Sequence, residues 1–208
     1  MKLICLPVGF LQENTYIYYD EQTMDGVVID PGDEGVRIQA LLVERGIRLV
    51  AILLTHGHFD HVGAVNELKA KPHAPVYIGL HEAAFLADPL LNGSATIARR
   101  GFSVQADHTL ADGEKAPVLG HRLAAIHTQG HTHGSVCYYD QEAGILFAGD
   151  TLFYRSVGRT DLPTGNMSEL ADSIRNKLFT LPEHVAVYPG HGDETTIGDE
   201  KEKNPYVR

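Results

Sequence analysis

The sequence predicts an α/β fold in which β-sheets are covered by outer helices. Segments rich in β-branched and aromatic residues alternate with single segments of helical periodicity in both halves of the 208-residue chain. The composition, with 43% hydrophobic and 21% charged residues, is typical of a globular protein. A chain of this length is expected to form a single domain over 1–208 and to bury its core without disulfide bonds.

The first half of the chain is predicted to begin with a hairpin. Residues 2–10 and 14–19 are rich in β-branched and aromatic side chains, and a Gln-Glu-Asn turn separates them. Residues 35–46 carry apolar side chains at helical spacing, and 49–54 is a continuous apolar run typical of a buried strand. The remaining predicted elements are strands at 26–30 and 75–78, helices at 62–71 and 81–87, and loops at 55–61 and 88–107.

The second half is predicted to hold a series of strands followed by one long helix. Glycine and aspartate interrupt the strand-like segments, which lie at 109–118, 122–127, 135–139 and 145–147. Residues 168–181 have the periodicity of a helix, for which Ser168 is the expected N-cap. A last strand at 185–188 precedes a polar tail.

The net charge and the lengths of the apolar segments indicate where the protein is located in the cell and which classes of partner it has. There are 17 Lys and Arg against 27 Asp and Glu, and the formal net charge of -10 argues against a nucleic-acid partner. Pro7 and Gly9 interrupt the apolar run near residue 1, and no run approaches the roughly 20 residues of a membrane helix. We therefore expect a cytoplasmic protein that acts on a small molecule and has no membrane partner. Cys5 and Cys137 lie in strand-like segments and are expected to be buried, reduced thiols.

One segment concentrates residues that bind metal ions. Three imidazoles and one carboxylate lie within six residues, at His56, His58, Asp60 and His61. Imidazole nitrogens and carboxylate oxygens are common ligands of Zn²⁺ and similar ions. So many titratable groups side by side would repel one another and lose hydration unless a cation compensated them. Four ligands on one short loop do not easily saturate a single tetrahedral ion, and the motif therefore predicts two neighbouring ions, each completed from elsewhere in the chain.

Three further residues are candidates to complete the site. His131, Asp150 and His191 each follow an apolar run and lie beside glycine, where loops carried by a sheet present functional groups. For His133 three interpretations stay open: no role, a contact that supports a ligand, or a role as a metal ligand itself. The other histidines are interpreted as surface or core residues without a ligand role, namely His73, His81, His108, His121, His127 and His184.

Taken in order, these motifs resemble those of a known family. The sequence has Thr-His-x-His-x-Asp-His at 55–61, Gly-His-Thr at 130–132, Ala-Gly-Asp at 148–150 and Pro-Gly-His-Gly at 189–192. This pattern resembles the metallo-β-lactamase superfamily and, within it, the glyoxalase II (hydroxyacylglutathione hydrolase) branch. The resemblance implies a four-layer αβ/βα sandwich of two mixed β-sheets with outer helices and the metal site at one edge. Glyoxalase II proper adds a C-terminal helical glutathione-binding domain, which we expect to be absent because 17 residues follow His191.

The resemblance also implies a role for each candidate residue. It assigns one ion to His56, His58 and His131, a second ion to Asp60, His61 and His191, and both ions to Asp150. Zinc is the expected metal, with iron or manganese as alternatives. Asp60 is the expected catalytic residue, which orients a hydroxide shared by the two ions. Arg159, in the segment 158–161, resembles a residue that points towards the substrate.

Hydrolysis of a small acyl thioester such as S-lactoylglutathione is the predicted reaction. A thiolate, whose conjugate acid has a pKa of about 8.5, leaves without much help from a general acid, whereas an amide nitrogen needs protonation. The alternatives are a mononuclear iron persulfide dioxygenase, a lactonase or phosphodiesterase of the same superfamily, and a metal-binding protein without catalysis. The presence of all second-site ligands favours hydrolysis. The sequence does not predict an oligomeric state.

Overall fold

Two mixed β-sheets face each other in the computed structural model, which describes residues 1–69 and 74–207. Within these residues the first sheet has six strands in chain order. Its first three strands are antiparallel neighbours and the following pairs are parallel. The strands are β1 (Lys2–Val8), β2 (Glu13–Tyr19), β3 (Asp25–Ile29), β4 (Arg48–Leu54), β5 (Val76–Gly79) and β6 (His108–Leu110).

The second sheet has five strands in the described part of the chain, and a two-stranded ribbon lies beside it. The sheet contains β7 (Leu123–His127), β8 (Val136–Asp140), β9 (Ile145–Gly149), β12 (Ala186–Pro189) and β13 (Thr195–Thr196), and the ribbon contains β10 (Leu152–Phe153) and β11 (Ser156–Val157). The helices are α1 (Gly35–Arg45), α2 (Phe59–Val62), α3 (Val65–Lys69), α4 (Ala83–Ala87), α5 (Met167–Asn176) and α6 (Ile197–Lys203). Strands β9 and β12 are parallel, and the other pairs in this sheet are antiparallel.

Alternation of side chains along the strands produces four layers. In β4, Ile52 and Leu54 pack in the cluster that includes α1 and α3, whereas Ala51 and Leu53 face the second sheet. In β9, Phe147 points into the space between the sheets, and its neighbours pack against α5. Because successive side chains of a strand point to opposite faces, each sheet buries both of its faces. The predicted αβ/βα sandwich is thus confirmed.

Tyrosine hydroxyl groups bridge the two sheets. Tyr18 donates a hydrogen bond to Asp140 at 2.8 Å, and Tyr138 donates one to the Leu54 carbonyl oxygen at 2.9 Å. Asp140 also accepts a hydrogen bond from Arg122 at 2.7 Å, so this buried carboxylate is paired. Buried polar groups with partners specify a unique arrangement of the elements that carry them. These contacts therefore fix the offset of the sheets, and with it the positions of the loops at their shared edge.

The predicted 55–61 loop and 62–71 helix differ from the observed structure. Residues 55–58 form a loop, but Asp60 and His61 lie on the short helix α2. A turn then separates α2 from α3, because Gly63 packs so closely on the Gly32 backbone that a Cβ there would lie 2.2 Å from its oxygen. Residues 70–71 of the predicted helix and His73 lie outside the described residues.

Three other expectations need correction. The strand predicted at 109–118 ends at Leu110, because a turn at Gly113, with φ of +79°, takes the chain out of the sheet. The N-cap of α5 is Asn166 rather than Ser168, since its side chain accepts hydrogen bonds from the two backbone N–H groups of the first turn. The predicted polar tail contains β13 and α6. The strands β10 and β11 were not predicted.

The two thiols differ in exposure. Both cysteines are free, and Cys137 is buried as expected. The expectation that Cys5 is buried is wrong, because β1 is an edge strand in which the alternate residue Leu6 takes the inward position. In the described residues there is no helix whose length and hydropathy suit a passage across a membrane.

Phe147 is the aromatic centre of the layer between the sheets, and its replacement should be costly. Its ring centroid lies 5.4 Å from those of Tyr16 and Tyr18, and the side chain is 1% exposed. We expect Phe147→Ala to lower the free energy of unfolding by about 3–5 kcal/mol, because it leaves a cavity between two sheets that are held apart. The control Phe10→Ala, at a residue 72% exposed, should cost less than about 1 kcal/mol in the same denaturant titration. Equal losses in the two variants would contradict this description of the core.

Candidate metal centre

The sequence-predicted ligands converge at the edge where several strands end. His56 and His58 follow β4, Asp150 follows β9 and His191 follows β12. His131 lies on the turn between β7 and β8. The carboxyl ends of parallel strands meet at one edge of a sheet, and the packing of the two sheets brings the two edges together. Residues separated by up to 135 positions in the chain therefore face one another.

One group of ligand atoms consists of three buried imidazoles. The Nδ1 atom of His58 lies 2.9 Å from Nε2 of His131, which lies 3.2 Å from Nε2 of His56. All three side chains are at most 5% exposed. Burial, and then the neighbouring imidazoles, lower the pKa of His56 well below its usual range and that of His58 to about 3. These rings are therefore neutral at physiological pH, which is the form that binds a metal ion.

A second group contains the carboxylate of Asp60 with two imidazoles. Oδ2 of Asp60 lies 3.3 Å from Nε2 of His191 and 4.0 Å from Nε2 of His61. Asp150 lies between the two groups: Oδ1 is 3.3 Å from Nε2 of His61, and Oδ2 is 3.6 Å from Nε2 of His131. This is the position that a carboxylate shared by two ions requires. The structure thus brings all seven candidate ligands together.

The electrostatics of the second group differ from those of the first. Burial opposes ionisation of Asp60, but the hydrogen bond to His191 and the charge of His61 outweigh it, and the pKa of Asp60 lies below its usual range. Burial likewise opposes protonation of His61, yet the negative charge of Asp150 and the hydrogen bond to Asp30 hold its pKa well above the usual range. The pKa of His191 is raised against burial by its hydrogen bond to Asp60. Here the carboxylates attract positive charge, which a proton or a metal ion supplies.

Unpartnered buried atoms test whether the residues fit metal ions. Among the described residues, Oε1 of Glu13 and three atoms of the cluster are buried without a hydrogen-bond partner. The three cluster atoms are Nε2 of His58, Nε2 of His61 and Oδ1 of Asp150. A buried polar atom without a partner costs about 1–3 kcal/mol. Divalent ions would satisfy these atoms, and the donor set of imidazole nitrogen and carboxylate oxygen suits zinc, iron or manganese. The residues therefore fit a pair of divalent ions.

Hydrogen bonds behind the ligands fix their orientation. Nδ1 of His131 lies 2.7 Å from the carbonyl oxygen of Arg159, so that Nε2 carries the lone pair that faces the cluster. Nδ1 of His61 lies 3.0 Å from Oδ2 of Asp30. Asp30 in turn accepts hydrogen bonds from the backbone N–H and hydroxyl of Thr55 at 2.7 and 2.6 Å. These contacts hold the rings before any ion binds.

Asp30 and Glu13 are functional residues that the sequence analysis missed. Asp30 follows the apolar strand β3 just as the predicted ligands follow theirs, and that pattern could have identified it. Glu13 is 1% exposed, and its Oε1 atom lies 3.7 Å from Nδ1 of His61. Burial raises the pKa of Glu13 well above its usual range despite the nearby His61. It stands at the start of β2, where no motif marks it.

Glu82 joins the two main ligand loops. Its Oε1 atom accepts a hydrogen bond from the N–H of Gly57 at 2.9 Å, and Oε2 accepts one from the N–H of Gly134 at 3.0 Å. Gly57 lies between two ligands, and Gly134 lies three residues after His131. The side chain is 1% exposed, and burial raises its pKa to about 7. One buried carboxyl group thereby sets the distance between loops that are remote in sequence.

The cluster forms the floor of a cavity of about 430 Å³. Its walls are largely apolar and contain Leu11, Phe59, Ile97, Phe153, Val157 and Leu162. Arg159 also lines this cavity, but its guanidinium is 60% exposed and is paired with both oxygens of Asp161 at 2.7 Å. The arrangement places an open, mostly apolar chamber above a site for cations.

The other histidines in the described part of the chain lie outside the groups of potential ligands. His108 stacks on Tyr77 with ring centroids 4.8 Å apart, and His121 and His184 are exposed. His81, His127 and His133 are neighbours, with ring centroids 5.1 to 6.4 Å apart. Nε2 of His127 lies 2.9 Å from the carbonyl oxygen of His133, so the backbone of His133 has a partner near the His131 turn.

A two-sheet sandwich with this histidine and aspartate cluster at one edge defines a metallohydrolase-type fold and site. Comparison with known proteins agrees with this assignment of fold and site. The model of the metallo-beta-lactamase superfamily matches residues 8–191. A probable metallo-hydrolase, YqgX of Bacillus subtilis, is 42% identical over 100% of this chain and 98% of its own length. The chain therefore belongs to the metallo-beta-lactamase superfamily.

Two further proteins in the comparison carry more specific names. The hydroxyacylglutathione hydrolase GloC of Haemophilus influenzae is 34% identical over 100% of this chain and 98% of its own length. The crystal structure of BLEG-1 B3 metallo-beta-lactamase superposes with a TM-score of 0.93 at 41% identity and covers 99% of each chain. Both similarities extend over essentially the whole chain, so they concern the complete fold and not an isolated motif.

Replacement of Glu82 should weaken metal binding without removing a ligand. Glu82→Gln keeps the shape but turns one acceptor oxygen into an NH₂ donor, which then faces a backbone N–H. We expect the affinity for zinc to fall about 10–100-fold, the usual effect of losing a group that orients ligands. Competition with a chromogenic chelator measures it. The exposed Glu44→Gln is the matched control, and an unchanged affinity in Glu82→Gln would contradict the role of Glu82 in holding the loops.

As the pH is lowered, the two groups of ligands should release their metal ions one after the other and not together. His61 and His191 have raised pKa values, whereas His56, His58 and His131 have lowered ones. Ligands must lose their protons to bind a metal, and protons compete better at a group of higher pKa. As the pH falls, the ion held with Asp60, His61 and His191 should leave first. Equilibrium dialysis over a pH series, followed by metal analysis, measures this. Simultaneous loss of both ions, or loss in the reverse order, would contradict it.

Proposed function

We propose that the protein hydrolyses small acyl thioesters, with S-lactoylglutathione as the first candidate substrate, at a centre of two divalent ions. The observation that carries the proposal is the position of Asp150 between two sets of ligand atoms beneath a cavity of about 430 Å³. The similarity to a protein named hydroxyacylglutathione hydrolase supports the choice of substrate.

The proposal gives each side chain of the cluster a task. His56, His58 and His131 would hold one ion, Asp60, His61 and His191 the other, and Asp150 both, with zinc as the first candidate and iron or manganese as alternatives. When bound, such ions polarise a carbonyl group and lower the pKa of water from 15.7 to about 7. Asp60 is ionised at neutral pH and is 15% exposed to the cavity, so its carboxylate accepts a hydrogen bond from the attacking water and orients it.

The walls of the cavity favour a good leaving group. Among the described lining residues, the side chains outside the metal cluster are apolar, with the exception of Arg159. A guanidinium stays charged at all working pH values and is a poor proton donor. The cavity therefore offers no dedicated general acid among these residues, and a thiolate, which leaves unprotonated, suits it better than an amide nitrogen.

Arg159 is proposed to contact the substrate. It lines the cavity, and its backbone carbonyl already fixes the ring of His131. Its guanidinium is exposed and paired with Asp161, so an anionic group of the substrate would exchange with Asp161 at a modest cost. This proposal gives Arg159 a role in affinity, whereas Asp60 acts on the rate.

A substrate panel tests the function. We expect protein with two bound metal ions to hydrolyse S-lactoylglutathione, detected by release of the thiol, faster than a lactone, a phosphodiester or a β-lactam. Asp60→Asn should lower kcat about 10²–10⁴-fold, because it removes a charged ligand and the group that orients water. The exposed Asp172→Asn is the control.

Other results of the panel would identify the alternatives. One iron per chain with production of sulfite from glutathione persulfide would establish a persulfide dioxygenase instead. Preferential opening of a lactone or cleavage of a phosphodiester would assign the protein to those branches. Preferential hydrolysis of a β-lactam would follow the similarity to BLEG-1. No turnover of any substrate by the metal-loaded protein would leave a metal-binding protein without catalysis.

A further inference from the structure

A second cavity of about 230 Å³ adjoins the chamber above the metal centre. The two cavities share Leu11, Phe59 and Asp60 as lining residues. Gly32 forms part of the second cavity, and it packs so closely on α2 that a Cβ there would lie 1.6 Å from the carbonyl oxygen of Asp60. The second cavity thus begins at the backbone of a predicted ligand, and a molecule bound at the metal centre could extend into it.

An arginine and an aspartate of opposite charge line this second cavity. Nη2 of Arg100 lies 4.0 Å from Oδ2 of Asp33, which is longer than the 2.7–3.2 Å of an N–H···O hydrogen bond. Their side chains are 58% and 46% exposed. The other oxygen of Asp33 accepts the N–H of Glu34 at 2.7 Å, while Glu34 itself pairs with Arg37 at 2.7 Å. The neighbouring charges are therefore satisfied, and the guanidinium and the carboxylate each keep capacity for a ligand.

Buried polar contacts hold the wall that carries Arg100. The segment 88–107 has little regular structure, yet Asn92 and Ser94 are completely buried in it. The side chains of both donate hydrogen bonds to the carbonyl oxygen of Phe102 at 3.0 Å. The N–H of Arg100 donates to the carbonyl oxygen of Ser94 at 3.0 Å. The backbone of Arg100 is thus fixed between buried anchors, as a residue that recognises a ligand requires.

Exposed apolar side chains line the rims of the two cavities. Phe10 and Leu11, on the turn between β1 and β2, are 72% and 43% exposed, and Ile97 on the opposite wall is 45% exposed. The ring of Phe10 stacks on that of Phe59 at 6.1 Å. An exposed apolar patch beside a pocket with a few polar groups is typical of a ligand-binding site. A ligand that extends from the metal centre to Arg100 would cover this patch.

We propose that this second cavity binds a zwitterionic α-amino-acid group at the thiol end of the substrate. Arg100 binds the carboxylate, because a guanidinium offers paired donors to its two oxygens, and Asp33 binds the ammonium group. This inference rests on the proposed thioesterase function and restricts its substrate class to acyl thioesters of thiols that carry a free amino-acid end, as the γ-glutamyl end of glutathione does.

Kinetics with two thioesters test the inference. S-lactoylglutathione carries the zwitterion, and the lactoyl thioester of N-acetylcysteamine is neutral. In Arg100→Gln the ratio of kcat/KM for the first substrate to that for the second should fall about tenfold, through KM, as expected for a lost hydrogen bond to a charged group. Arg99→Gln is the matched control, because Arg99 is the adjacent arginine and is not among the described residues that line the cavity. Its ratio should stay within about twofold of the wild type.

A third substrate distinguishes binding of the ammonium group by Asp33 from binding of the carboxylate by Arg100. The glutaryl analogue of S-lactoylglutathione lacks the ammonium group but keeps the carboxylate. Asp33→Asn should therefore lower kcat/KM for S-lactoylglutathione several-fold more than that for the analogue, whereas Arg100→Gln should affect both alike. Equal effects of Asp33→Asn on the two substrates would overturn the role of Asp33.

Calorimetry of binding separates this inference from the proposed function. S-methylglutathione has no bond to hydrolyse, and its Kd should rise about tenfold in Arg100→Gln but not in Arg99→Gln. If the wild-type protein hydrolyses no thioester yet shows this binding pattern, the proposed function fails and the binding site stands. If thioesters are hydrolysed but Arg100→Gln changes neither the substrate ratio nor the Kd, the binding site is refuted and the proposed function stands.

Discussion

The structure depends on the compensation of charge where six ionisable side chains are buried at one edge of two sheets. His56, His58, His61, His131, Glu13 and Asp30 are each at most 5% exposed. Burial of such groups is unfavourable unless each finds a partner, and several of their atoms find none in the protein. The sandwich holds these groups together by packing and by hydrogen bonds behind them, and the atoms left without a partner are ones that bound cations would satisfy.

The candidate ligands are carried by, or directly follow, rigid strands and helices. A small number of buried carboxyl groups form hydrogen bonds that fix the positions of these elements relative to one another. The parallel strands direct their ends to one edge, and the tyrosine bridges fix one sheet against the other. Asp30 orients the imidazole of His61 through its ring nitrogen Nδ1, while Glu82 joins the two loops that carry three of the predicted histidine ligands. A centre built in this way is organised before ions bind, so little ordering has to accompany binding.

The chemistry and the choice of substrate belong to different parts of the molecule. The metal cluster comes from strand ends of both sheets and from α2, whereas the walls above it come largely from the turn between β1 and β2, the segment 88–107, the ribbon β10–β11 and the loop that follows it. Most of these wall residues lie outside the two sheets. Such a division is consistent with the fact that proteins similar to this chain over its whole length carry names as different as metallo-beta-lactamase and hydroxyacylglutathione hydrolase.

The sequence by itself determined the α/β class, most strands, the helix α1 and the set of candidate ligands, because periodicity and the 55–61 motif are local signals. Only the tertiary structure decided that Glu13 and Glu82 belong to the centre, since their partners lie 25 to 52 residues away and their sequence neighbours do not indicate that they are buried. The tertiary structure also determines that the helix breaks between α2 and α3, where the Gly32 backbone packs against Gly63. It also brings Arg100 close to Asp33, which lies 67 positions earlier in the chain. Contacts between distant segments depend on how the two sheets pack against each other, and this packing cannot be predicted from local sequence patterns.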